Sequence, residues 1–174
     1  MIGHLLGRRR AGYEPRGCRG ATIVELITIG AVLAILAAFA IPGFSPVLLR
    51  YRVRGAAWQV AGDLRLARQR AVTMKKPFRF CVTGCIISVP PGGYSLERDD
   101  GPPGGPQAWV NENGVATRLP PDVAIAANAN PTFTVIGTVL PSETGTVILS
   151  NPLGTYNVVV AQSGRVRVCE GACP

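Results

Sequence analysis

The sequence predicts an α+β protein in which a long N-terminal helix, apolar and then amphipathic, packs on a C-terminal antiparallel β-sheet domain. Three observations predict it. An uncharged run of 24 residues extends from Leu26 to Leu49. An apolar stripe follows, in which Val53, Ala57, Val60, Leu64, Ala67, Ala71 and Met74 alternate spacings of four and three, the repeat of a one-sided helix. Beyond Pro77 the chain changes to short apolar runs with Gly- and Pro-rich turns between them, recurring about every 8–12 residues as in a β-meander. The chain therefore divides into a basic leader (1–20), an apolar helix (21–44), an amphipathic stem helix (45–76) and a β-rich domain (77–174).

The apolar segment is long enough to cross a membrane. As a helix it would span roughly 36 Å, and a bilayer core needs about 20 residues. Ile41-Pro42-Gly43 is expected to kink or locally melt it, because Pro removes a backbone bond. One residue does not suit a plain anchor. Glu25 lies just inside the apolar stretch, where a carboxylate costs on the order of 3 kcal/mol near the bilayer centre and less at the interface. It calls for a cation. Cleavage after Gly20 would supply one, the new α-amino group of Ala21, four residues before Glu25. The ordinary alternative is a secretory signal or simple signal anchor cut near Ala37-Ala38-Phe39-Ala40, but its apolar core would be only about 7–15 residues.

A basic leader, a Gly at the cut and a hydrophobic helix with Glu at its fifth position resemble a type IV prepilin or a type II secretion pseudopilin. The resemblance implies cleavage after Gly20 by a prepilin peptidase, N-methylation of Ala21, and pairing of Glu25 with the N-terminus of a neighbouring subunit. Within that group the chain is similar to the GspH/FimT family. Arg68-Gln69-Arg70-Ala71 ends the stem, Phe133-Thr134-Val135-Ile136-Gly137 falls at the family's Phe…Gly turn, and Gly164-Arg165-Val166-Arg167 falls at its terminal Gly-Arg strand. The implied fold is type IV pilin-like. The implied partners are other pilin or pseudopilin subunits and inner-membrane lipid, in a single-pass protein whose C-terminal domain faces the periplasm.

Charge agrees with that orientation. The formal net charge is +8. Arg8, Arg9, Arg10, Arg16 and Arg19 of the leader face one acid, Glu14, and without the leader 13 basic and 9 acidic residues remain, or +4. Positive charge before a membrane helix stays on the cytoplasmic side. The stem carries Arg50, Arg52, Arg54, Arg65, Arg68, Arg70, Lys75 and Lys76 against one acid, Asp63, cations suited to anionic lipid, solvent or acids of adjacent subunits. The helix should stop near Lys76, since Pro77 disfavours helical geometry before it.

In the β-rich part, strands are expected at 78–82, 86–89, 94–98, 108–111, 123–126, 133–139, 145–150, 156–161 and 165–169. Catalysis is not expected, nor a cofactor or a metal. The leader holds the only histidine, His4, together with Cys18; the glycines at 101–105 alternate with prolines and no Lys-Ser/Thr follows; Asp99-Asp100-Gly101 lacks calcium-loop spacing. The remaining cysteines fall in two pairs, Cys81 with Cys85 and Cys169 with Cys173. Four cysteines in an exported domain suggest disulfides, with three connectivities open, and four thiolates on zinc are the rival reading. In Gly164-Arg165-Val166-Arg167, strand alternation points the two arginines to one face and Val166 and Val168 to the other. Two arginines side by side suit phosphate, and some relatives that the chain resembles bind incoming DNA through such a tail. The alternative is edge protection, in which outward charge discourages strand-to-strand aggregation.

Overall fold

The structure, a computed structural model, describes residues 22–173, except for the side chains of 39–45. Gly20, Ala21 and the leader lie outside the described residues. The chain forms two compact units, Met1–Pro42 and Gly43–Pro174. One helix, α1 (Ile23–Met74), contributes to both.

In the first unit Thr22 caps the helix, its Oγ1 accepting from the Glu25 amide at 3.3 Å, which satisfies one of the otherwise unpaired first-turn donors. From Thr22 to Ala38 every residue is exposed, and the apolar side chains of Ile23, Val24, Leu26, Ile27, Val32 and Leu36 find no cover among the described residues. The helical assignment continues through Pro42 and Gly43, so the expected local melting is not observed. Among the described residues no helix is long and apolar enough to cross a membrane; part of the uncharged run from Leu26 to Leu49 falls outside that description.

In the second unit the stem lies on two antiparallel sheets. The first has the order β3 (Trp109–Asn111), β2 (Gly93–Asp99), β1 (Phe78–Cys81), β6 (Thr132–Phe133), and the short β4 (Thr117–Arg118) pairs with the start of β2. The second has the order β5 (Ala124–Ala127), β7 (Gly145–Asn151), β8 (Gly154–Val160), β9 (Val166–Glu170). β1 to β3 and β7 to β9 each form a meander, the latter with Asn151 opposite Gly154 across a two-residue turn and Val158 opposite Val168.

The core lies between stem and sheets. Val53, Ala56, Ala57, Val60, Ala61, Leu64, Ala67 and Ala71 face Phe78, Phe80, Tyr94, Phe133, Leu149, Val158 and their neighbours. The predicted stripe is thus right and slightly wider, because alanines at 56 and 61 let the sheets come close on either side of it. Met74 is a correction, being 44% exposed: the helix ends there, and Lys75 turns into the left-handed region at φ 55°, two residues before the expected stop. Polar ties fix the stem's rotation. The Tyr94 hydroxyl donates to Asp63, and Gln59 donates to the same hydroxyl at 3.4 Å. Burial first, and Asp63 second, push the Tyr94 phenol well above its ordinary value.

Two expected strands are not strands. Residues 86–89 form a bend and irregular chain, because β1 already has β2 and β6 on its two sides and Pro90-Pro91 removes two donors. The expected strand 133–139 is interrupted: Thr134 N donates to Thr138 O and Gly137 N to Thr134 O, each at 2.8 Å, so the chain folds back and Phe133 bridges Val139. The two-residue β4 was not foreseen.

Candidate functional site

The segments singled out in the sequence converge at one corner of the domain. The 134–138 turn places Gly137 at φ 80°, and the turn before β9 places Gly164 at φ 75°. The two glycines face each other so closely that a Cβ on Gly164 would lie 2.0 Å from the Gly137 carbonyl oxygen. That approach and the positive φ together leave no room for any other residue there. Val139 N donates to Gln162 O at 2.8 Å and closes the same contact. Arg68 reaches over from the stem, its Nε donating to Gly137 O at 2.9 Å. Arg65 Nη2 donates to Val166 O at 3.5 Å.

The consequence is a basic corner. β9 is the edge strand of its sheet. Along it Val166 is buried and Val168 half-buried, while Arg167, and Arg165 just before the strand, are exposed, as alternation predicts. The stem adds Arg65 and Arg68 beside the start of that strand, and both are exposed. None of these four arginines has an ion-pair partner among the described residues. The sequence pattern marks Arg165 and Arg167, at the start of β9. The other two were recognised only as part of a basic stem, because nothing local indicates which helix arginines meet a strand a hundred residues later.

The cysteines pair locally, Cys81 with Cys85 and Cys169 with Cys173. The pairs belong to different sheets, at the end of β1 and at β9. Cys81, Cys85 and the carboxylate of Glu97 do lie within 4.8 Å of one another. Yet the sulfurs are bonded to each other, and Glu97 is already satisfied. Its Oε1 accepts from Ile86 N at 2.8 Å and from Ser95 Oγ at 3.2 Å, and its Oε2 accepts from Arg79 Nε at 3.0 Å. Arg79 also stacks over Trp109, 4.4 Å from the ring centroid. Glu97 is fully buried. It holds the 82–89 segment against the sheet, and no sequence signal marked it.

Glu25 sits in the first turn of α1, exposed, with its carboxylate outside ion-pair distance of every described cation.

The model of one protein family, the type II transport protein GspH, matches residues 56–169, from the middle of the stem to the first cysteine of the last pair. The chain belongs to the GspH family. A pilin-like protein of Thermus thermophilus, PilA1, is 28% identical over 153 residues, covering 86% of this chain and 97% of that protein. Two structures of the minor pseudopilin EpsH from the type 2 secretion system of Vibrio cholerae share the fold. They have a TM-score of 0.51 each, at 12% and 15% identity, and cover 68% and 71% of this chain and 97% of EpsH. The GspH match takes in Arg65, Arg68, Gly137, Gly164, Arg165 and Arg167, so the basic corner belongs to the family part of the chain. Glu25 lies before it.

Proposed function

We propose that this GspH-family chain is a non-enzymatic minor subunit of a type II secretion pseudopilus or a type IV pilus, processed after Gly20, methylated on Ala21 and incorporated at or near the filament tip. Before assembly it is held in the inner membrane by one span, with the β domain in the periplasm. The observation that carries this reading is the first unit itself: an exposed apolar helix with a single unpaired acid in its first turn. Such a helix needs other apolar surfaces, lipid first and then neighbouring helices. Glu25 needs a cation from outside the described chain. The terminal amine of an adjacent subunit meets that need. Replacing Glu25 with Ala is expected to leave cleavage intact and abolish incorporation into filaments, read by mass spectrometry of the mature N-terminus and by sheared-filament fractionation. Normal incorporation would sink the pairing role. A mature chain still beginning at Met1 would sink the processing.

A second reading has its own observation, the four unpaired arginines of the basic corner. There the protein contacts DNA taken up in natural transformation, through phosphates rather than bases. Changing Arg165 and Arg167 to Gln is expected to weaken DNA binding by the detergent-solubilised chain. The log–log salt slope should become shallower by about 1.8, for two lost phosphate contacts. An unchanged slope would rule out contact through β9.

A further inference from the structure

A second basic cluster lies at the other end of the stem. Arg50 is the first charged residue after the 24 uncharged ones. It lines a groove of about 250 Å³ with Val47, Tyr51 and Arg54 from the helix and Tyr156 from β8. Arg50 and Arg54 are one turn apart, so their guanidiniums share a face, and like charges at that spacing destabilise a helix unless something neutralises them. Nothing described does so. Neither arginine has an ion-pair partner among the described residues, whereas Arg52 between them pairs with Asp122 at 2.8 Å. Glu170, which faces Tyr156 across the ladder, forms no ion pair with either.

The level of the groove along the stem is fixed by an independent contact. Asn151, at the tip of the β7–β8 hairpin, donates from Nδ2 to the Leu49 carbonyl oxygen at 2.7 Å. The hairpin tip, with Leu153 exposed, therefore stands beside the last turn of the uncharged run. Exposed Tyr51 and Trp58 flank the arginines on the helix. The end of the uncharged run, an exposed apolar hairpin tip, exposed aromatics and two cations thus lie together, the mixture found at the water-facing boundary of a bilayer.

We propose that the Arg50–Arg54–Tyr156 groove binds the phosphate of an anionic phospholipid headgroup while the subunit waits in the membrane. Two guanidiniums supply a fork for the phosphate oxygens, and the Tyr156 ring walls the groove on the sheet side. This inference rests on the membrane-span reading above. The test uses the full-length chain in mild detergent, with phosphatidylglycerol and phosphatidylcholine as probes and native mass spectrometry as the readout. The wild type is expected to retain phosphatidylglycerol about 30-fold over phosphatidylcholine, as two basic side chains at an anionic surface imply. R50Q/R54Q should lose that preference, while R165Q/R167Q, with the same change in net charge, should keep it. Equal preference in R50Q/R54Q and wild type would overturn the site, as would equal loss in both double variants. Displacement by millimolar inorganic phosphate would show a free-anion site and overturn the lipid assignment. Alkaline extraction of membranes separates this from the parent reading. Release of the wild-type chain would overturn the span and this site with it, whereas retention of both chains with identical lipid preference would overturn the site alone.

Discussion

The two sheets handle charge in opposite ways. Around β1 to β3 nearly every acid meets a cation. Arg79 pairs with buried Glu97; Arg98 pairs with Asp100 at 2.8 Å and with Glu112 at 3.0 Å; Lys76 joins Asp100, and Arg70 lies 3.5 Å from Glu112. Around β8 and β9, Arg165 and Arg167 and the stem arginines that lie against these strands carry no such partner among the described residues. In the first sheet charge closes the fold on itself. In the second it is left facing outward, where it stays available to other molecules. The contrast implies that substitutions in the first sheet are felt as lost stability and those in the second as lost binding.

The largest expected effect tests the closed side. Glu97→Ala leaves the Arg79 guanidinium and the Ile86 amide without their acceptor in a buried setting, and should cost about 3–5 kcal/mol in denaturant unfolding. A cost below about 1 kcal/mol would mean that the pair is incidental. Next comes the hinge between the two regimes. Gly164→Ala forces a Cβ onto the Gly137 oxygen in a left-handed backbone, and about 2–3 kcal/mol is expected. The same measurement checks it, together with loss of the Arg68–Gly137 contact. Removing the Cys81–Cys85 disulfide with paired serines should cost about 2 kcal/mol, the chain-entropy figure for so short a loop. Arg165→Gln with Arg167→Gln should change stability by no more than about 0.5 kcal/mol; a larger loss would erase the distinction drawn here.

Titration sharpens the same comparison. The folded state holds Tyr94 protonated, so its contribution is fully present below the free phenol value of about 10 and declines as pH rises past it. Tyr94→Phe should flatten that alkaline slope. Asp100 behaves in the opposite sense. Hydrogen bonds from Arg98, then Lys76, hold its carboxyl below the ordinary range, so its contribution is complete above that range and fades as pH falls through the folded value. Asp100→Asn should therefore reduce acid sensitivity in a melting series.

Much of the architecture was legible from residue order. The apolar run, the stem stripe from Val53 to Ala71, the switch to strands after Pro77 and the alternation at Arg165 to Val168 are local patterns, and each is imposed by the period of its own backbone. What failed was also instructive. Residues 86–89 look like a strand and are not one, because whether a strand forms depends on a free neighbouring edge and β1 has none. The 133–139 run is apolar enough for a strand, yet Gly137 folds it back to meet Gly164.

By itself the sequence determined the periodic elements, the odd acid in the apolar helix and the spacing of four between paired cysteines, since these depend on neighbours a few positions away. Only the tertiary structure decided which cysteines join, that Glu97 is buried beside Arg79, and that Arg65 and Arg68 stand with the arginines of β9. Those outcomes depend on contacts between residues up to about a hundred positions apart, and such contacts are set by how helix and sheets share one core, which no local period encodes.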